Sequence, residues 1–304
     1  MSGSVTAGGF VDLHCHGGGG YFFSDPNLER VESAIAFHRA NGTDQLLASL
    51  VSAPIDELKK QIARLVEFCQ DGKLAGIHLE GPYLSGARCG AHNPSYLRQP
   101  TIAEIESLLA AGAGWVRMVT IAPELEGALA TISYLAEHGV IAAIGHSDGG
   151  PNDVLRGVDS GASFVTHLSN AMSKLSAGED FFTSTVLNKT ELPFELIVDG
   201  HHVNREDLER IFDRAENRVV LVTDAIAAAG QPDGDYVMGA LTVEVKAGVA
   251  RLQGGGALAG STLTMGEAVA NAISFGLSPE LAAHASIELP AKILNSTPGG
   301  TFRT

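Results

Sequence analysis

A parallel (β/α)8 barrel of the TIM type is the fold class this sequence predicts, on three observations. The chain has 304 residues, 45% of them hydrophobic and 18% charged, enough to bury one large α/β core. A strand followed by a helix or a long loop recurs roughly every 25 to 35 residues, the grammar of a parallel sheet. Metal-capable side chains stand at the C-terminal ends of five of those strands. A closed barrel gathers all its strand ends around one mouth, whereas in an open sheet the first and eighth strands would lie too far apart for His14 to meet Asp224.

The pattern opens with GFVDLHCHGGGG, Gly9 to Gly20, which reads as a buried strand ending in two imidazoles. Strand alternation puts Val11, Leu13 and Cys15 on one face and Asp12, His14 and His16 on the other. The four glycines lack the strand, turn and helix context of a nucleotide loop and read as close backbone packing. Apolar residues Leu28, Val31, Ile35 and Phe37 have helical spacing within Asn27 to Asn41, and Asn41-Gly42 supplies a stop. Gln45 to Val51 follows as a strand. Pro54 opens a helix over Ile55 to Cys69 with one apolar stripe, ended at Gly72.

Leu74 to Leu79 is the third predicted strand, and Gly81-Pro82 forces a turn that holds Glu80 at the mouth. Val116 to Ile121 and Val140 to Ile144 are predicted strands, each followed by a helix, Leu125 to Glu137 in the first case and Asp153 to Val158 in the second. Phe164 to Thr166, Phe194 to Val198 and Val219 to Thr223 complete eight strands. Gln231 to Gly256 alternates apolar and polar residues around Ala247-Gly248, so a β-hairpin is expected as an insertion at about 230–256 after strand eight. Two closing helices are expected at Leu263 to Ser274 and Pro279 to Ser286, then a frayed tail from Thr297 to Thr304. The whole of 1–304 reads as a single barrel.

Composition narrows the partners. A net charge of -15 argues against nucleic acid or an anionic membrane surface. The longest apolar runs fall far short of a membrane span and no export-type start precedes strand one, so a cytoplasmic protein is expected. Cys15, Cys69 and Cys89 are odd in number and widely spaced, which argues against a disulfide framework and leaves no CxxC motif; Cys15 reads as a small hydrophobe.

The chemistry-bearing residues are His14 and His16 after strand one, Glu80 after strand three, His146 after strand five, His167 after strand six and Asp224 after strand eight. Any one alone has an ordinary reading: a strand-end polar residue, a structural histidine, or in Asp224 a helix cap. Together, four imidazoles and two carboxylates suffice for one or two divalent ions, with zinc, iron, manganese or cobalt admissible. A bound cation brings the pKa of its water from 15.7 to about 7, so metal-assisted hydrolysis is the expected chemistry. His38, His138 and His284 lie in helical stretches and read as structural.

HCH after strand one, HLEGPYLSGARCGAHNP, GHS, THLSNAM, DGHHV, TDA and LAGSTLTM resemble, in order and spacing, the N-acetylglucosamine-6-phosphate deacetylases of the amidohydrolase superfamily, from Gly9 to about Leu294. The resemblance implies that His14, His16 and Asp224 hold one metal, that Glu80 is shared, and that His146 and His167 hold the other. It implies that Ala91 and His92 meet the acetamide, His92 polarising the carbonyl, and that Asp224 moves the water proton to the amine. Asn170 and Ala171 would contact the sugar or its phosphate. Asp199, Gly200, His201, His202, Leu258, Ala259 and Gly260 would line the sugar, with His201 the weaker of its pair. A small amino-sugar substrate, zinc and a homodimer complete what it implies.

Two departures are evident. The family places an arginine after the HL.NAM motif for the 6-phosphate, often offered to the neighbouring subunit. Here SKLSAGEDFF follows, with Gly178 and Glu179 where the arginine belongs and Lys174 as a point charge nearby. The family also carries a small β-sandwich, so the resemblance leads to the expectation that this domain is either reduced to the insertion or cut away by truncation of the chain. An unphosphorylated N-acetylated sugar is therefore open as substrate. Another amidohydrolase activity on a cyclic amide or an N-acyl amino acid, and a non-catalytic sugar-binding relative, are the alternative readings.

Overall fold

The computed structural model describes residues 9–175, 178, 180–239, 241–254 and 256–295. Eight strands form one sheet in sequential order, every neighbouring pair parallel. They are β1 (Phe10–Cys15), β2 (Thr43–Val51), β3 (Gly76–Glu80), β4 (Val116–Ile121), β5 (Ile141–Ile144), β6 (Phe164–Val165), β7 (Phe194–Leu196) and β8 (Val219–Leu221). The ring closes through a parallel bridge between Cys15 and Ala225, just past the end of β8. Helices α1 (Leu28–Ala40), α2 (Ile55–Gln70), α3 (Ile102–Ala111), α4 (Ala128–Glu137), α5 (Pro151–Asp159), α6 (Phe182–Lys189) and α7 (Arg205–Ala215) alternate with the strands. This is the expected barrel. Among the described residues no helix is long and apolar enough to cross a membrane.

Two apolar layers follow from the alternation of side chains along the strands. Leu46, Ala48, Leu50, Ile77, Leu79, Val119 and Ile121 face outward into the layer under the helices. Val11, Leu13, Leu47, Met118, Phe164, Ile197, Val220 and Val222 fill the interior. β1 departs from strict alternation. Between Asp12 and Cys15 it advances three residues while β2 advances two, from Leu46 to Ala48, so one residue is extra. That bulge corrects the expected faces: Val11 and Leu13 belong to the inner layer, whereas Cys15 packs in the outer one within 4.8 Å of ligand atoms of Asp12 and His38. His14 still reaches the mouth because the bulge lets it follow Leu13 inward.

Strand ends are shorter than the sequence suggests at β6, β7 and β8, where the chain leaves the ladder to present site residues. The helix expected from Leu125 starts at Ala128, because Gly127 adopts a left-handed φ of 81° and a Cβ there would meet Pro100 O at 2.6 Å. The insertion is a three-stranded antiparallel meander rather than one hairpin: β9 (Gly234–Met238), β10 (Leu241–Lys246) and β11 (Val249–Leu252). The closing helix α8 (Met265–Ser274) begins at a Thr264 and Glu267 capping box. After α9 (Pro279–Ala283) a π-helical turn at His284–Glu288 leads into α10 (Leu289–Asn295), which sequence reading missed because Pro290 looks like a stop. Leu294 joins the inner layer and its carbonyl accepts from Arg117 at 2.9 Å, so α10 closes the barrel end opposite the mouth. The tail from Thr297 to Thr304 and Glu179 lie outside the described residues.

Candidate metal centre and active site

Four imidazoles and two carboxylates converge at the mouth. His14 Nε2 and His16 Nε2 are 3.1 Å apart, as are His146 Nε2 and His167 Nε2. Glu80 stands between the pairs: Oε1 lies 2.9 Å from both His146 and His167, and Oε2 lies 3.2 Å from His16. Asp224 Oδ1 is 3.2 Å from His16 Nε2 and 3.6 Å from His14 Nε2. All six are buried. The groups His14, His16, Asp224 and His14, Glu80, His167 each bring three ligand atoms within 4.8 Å of one another.

Main-chain geometry delivers these side chains. His146, His167, Ser169, Ala171 and Asp224 all have positive φ, an uncommon backbone region for residues with a Cβ. Strain of this kind gathers where structure is fixed for function.

The partners of the outer ring nitrogens set the tautomers. His14 Nδ1 donates to Glu195 Oε2 at 2.8 Å, His16 Nδ1 to Ser49 O at 3.2 Å, and His146 Nδ1 to Arg88 O at 2.8 Å. Those partners can only accept, so each neutral ring turns a lone pair on Nε2 toward the centre. His92 is arranged the other way round. Ser52 N donates to His92 Nδ1 at 3.2 Å, so the neutral ring carries its proton on Nε2, 3.2 Å from Glu80 Oε2. Three rings are set as ligands and one as a donor.

Charge follows from the same contacts. Burial opposes a charged His14, but the carboxylates of Glu195, Asp224 and Glu80 hold its pKa well above the usual value. His16 is likewise opposed by burial yet raised to about 9 by Asp224 and Glu80. Burial works against ionised Asp224, and His14 and His16 overcome it to bring the carboxyl to about 2. Burial lowers His92 below its usual value, against the pull of Glu80. The carboxylates thus call for positive charge at the centre: a divalent cation would supply it with both rings neutral and their Nε2 lone pairs free, and protons on His14 and His16 would supply it otherwise.

A cavity of about 480 Å³ opens over this cluster. Its lining brings together His16, Glu80, Ala91, His92, His146, His167, Asn170, Ala171, His201, His202, Asp224, Leu258 and Gly260, all singled out in the sequence. His14 lies behind them, fully buried. Asp199, Gly200 and Ala259 are not among the lining residues. Asp199 instead orients His202, accepting its Nδ1 at 2.7 Å and the backbone N–H groups of His201 and His202 at 2.8 and 2.9 Å. Gly200 makes the turn between them at φ 78°, and Ala259 N bonds Ala250 O, joining its loop to β11.

Sequence reading missed Arg88, Met238 and Arg251 in the lining, and Ser52 and Glu195 behind it. Arg251 was visible only as a basic residue in the alternating β11, and Glu195 as a lone charge in the apolar run FELIV. Lys174 lines the cavity; Gly178 is exposed. His78, on the Glu80 strand, is not a ligand: it is buried between Ser49 Oγ at 2.9 Å and Thr120 Oγ1 at 2.8 Å.

No family model matches the chain. Individual relatives do. An N-acetylgalactosamine-6-phosphate deacetylase of Escherichia coli O157:H7 is 36% identical over 94% of this chain and 77% of its own length. An N-acetylglucosamine-6-phosphate deacetylase of Vibrio furnissii is 32% identical over 86% of this chain and 67% of its own. A solved N-acetyl-D-glucosamine-6-phosphate deacetylase variant from Mycobacterium smegmatis, in complex with N-acetyl-D-glucosamine-6-phosphate, superposes with a TM-score of 0.91 at 42% identity, covering 94% of this chain and 77% of that one. With identity above 30% along nearly its whole length and a barrel that superposes at a TM-score of 0.91, the chain belongs to the N-acetylglucosamine-6-phosphate deacetylase family.

Proposed function

We propose that this chain hydrolyses the acetamide of an N-acetylhexosamine 6-phosphate, releasing acetate and the free amino sugar with one water consumed. The observation that carries the reading is the opposed tautomers at the mouth: His14, His16 and His146 present lone pairs, and His92 presents an N–H. Two imidazole nitrogens bonded to one divalent ion at about 2.0–2.1 Å stand roughly 3 Å apart, which fits both 3.1 Å pairs. His14, His16 and Asp224 would hold one ion, His146 and His167 a second, and Glu80 both; a nitrogen and oxygen shell suits zinc first. Such an ion supplies Lewis acidity toward the amide carbonyl and a more acidic water.

The chain's own residues then divide the work. His92 Nε2–H donates to the acetamide oxygen, where negative charge develops. Asp224 accepts the proton of the attacking water and returns it to the leaving amine. His202, held by Asp199, and Asn170 orient the sugar. Lys174 and Arg251 line the same cavity and offer two cations to the phosphate. Family membership supports a cytoplasmic homodimer as the working form, which light scattering checks.

The test is acetate release from the 6-phosphates of N-acetylglucosamine and N-acetylgalactosamine, from free N-acetylglucosamine, and from N-acyl amino acids. A 6-phosphate should exceed the free sugar at least about tenfold in kcat/KM, and Arg251→Ala should narrow that ratio by raising KM. Turnover confined to N-acyl amino acids, or none with any substrate after zinc loading, overturns the reading.

A further inference from the structure

Glu195 is a charged residue on an otherwise apolar strand, and the reaction above leaves it without a task. It is fully buried in β7. Its Oε2 accepts from His14 Nδ1 at 2.8 Å and from the backbone N–H of His167 at 3.0 Å. Its own carbonyl accepts from Leu168 N at 2.9 Å. One residue therefore grips a ring from β1 and the segment leaving β6, and those two carry members of the two imidazole pairs. The other oxygen, Oε1, has no hydrogen-bond partner among the described residues.

Packing does not call for such a group. Burying a carboxylate with one oxygen unpaired costs desolvation energy that a leucine in the same strand would avoid. What the carboxylate does instead is directional. An acceptor at His14 Nδ1 fixes the proton there and leaves the Nε2 lone pair aimed at the centre. Without it, the ring could carry its proton on Nε2 and lose its donor pair. The second bond holds the His167 peptide, whose φ of 22° is unusual for a residue with a Cβ.

We infer that Glu195 is a positioning residue: it locks the His14 tautomer and ties that ring to the His167 peptide, so both halves of the ligand cluster depend on one buried carboxylate for cation affinity. This rests on the reading that the cluster holds a divalent ion. An outer carboxylate on a ligating histidine commonly contributes 10- to 100-fold in metal affinity.

Metal-stripped wild type, Glu195→Gln and Glu195→Leu would be titrated with Zn²⁺ against a chromophoric chelator, with circular dichroism and Tm of the stripped proteins as fold controls. Glu195→Gln keeps the shape and one acceptor but loses the charge, so affinity should fall about tenfold; Glu195→Leu loses both and should fall about 100-fold. At a pH high enough to leave His14 neutral, long-range ¹H–¹⁵N spectra of the stripped proteins should show its proton on Nδ1 in wild type and not in Glu195→Leu. If the leucine variant does not fold, the glutamine variant decides alone. Folded variants that bind zinc as tightly as wild type overturn the inference. Wild type that binds no zinc at all overturns the underlying metal reading instead.

Discussion

Asp224 shows how a single residue acquires two roles. Its backbone, at φ 48°, turns the side chain to His16 Nε2 at 3.2 Å, while its N–H donates to His14 O at 2.8 Å across the barrel's closing edge. Burial alone would raise its pKa; the two imidazoles beside it reverse that and bring the carboxyl from 3.8 to about 2. A folded-state pKa below the unfolded one stabilises the protein above pH 3.8, an effect lost only as pH falls toward 2. The group is thus an ionised base throughout the range in which a deacetylase would work. Asp224→Asn keeps the shape and one oxygen but cannot take a proton. Its kcat should fall at least about a hundredfold with zinc content only partly reduced, measured by acetate release and elemental analysis on the same sample. Normal turnover in that variant would remove Asp224 from the mechanism.

Elements explain what could be read in advance and what could not. Histidines at the ends of apolar strands were legible because each follows its strand in sequence, and a barrel sends all strand ends to one mouth. The β1 bulge was not, because the extra residue is defined only against β2, and it puts Asp12 and Cys15 on faces that simple alternation does not give. Glu195 stayed hidden because its partners lie 181 and 28 residues away. His38, structural in the sequence reading, has a specific contact. From α1 its Nε2 donates to Gly17 O at 2.9 Å, pinning the turn that follows His16. Burial lowers its pKa to about 4 despite the Gly17 bond. Below pH 6.5 the unfolded chain takes up a proton that the folded one refuses, so this contribution to stability is lost as pH falls from 6.5 toward 4. Asp12, beside it, titrates the other way, because burial raises it to about 7, and Cys15 contributes no charge since burial keeps its thiol protonated. The difference between two proteins is therefore the readout. Between pH 7 and 5, wild type should lose about 2 kcal/mol more than His38→Gln in urea unfolding; parallel losses would show that His38 does not set this pH dependence.

At the scale of the molecule, the site and the barrel's closing edge are the same place. β1 and β8 meet without a regular ladder; a few bonds join them. His16 N and Gly17 N both donate to Ala225 O, at 2.8 and 3.1 Å, and Thr223 Oγ1 donates to Asp12 Oδ2 at 2.6 Å. Val119 in β4 and Ile144 in β5, by contrast, sit in continuous pairings. His14 and His16 lie on one side of this edge and Asp224 on the other, so a divalent ion shared among them would stitch β1 to β8. Ion binding to the folded state alone stabilises it by about 4 kcal/mol at a thousandfold excess over Kd, on the order of 10 °C in Tm for a chain of this size. Stripping with a chelator should lower Tm by that order, and zinc should restore it. The location of the effect is the sharper test. Amide exchange should quicken on stripping at Asp224, Ala225, His16 and Gly17 well before it changes at Val119 or Ile144, because only the former are held across the edge. Exchange that quickens uniformly around the barrel would mean that the ion stabilises the fold without closing it.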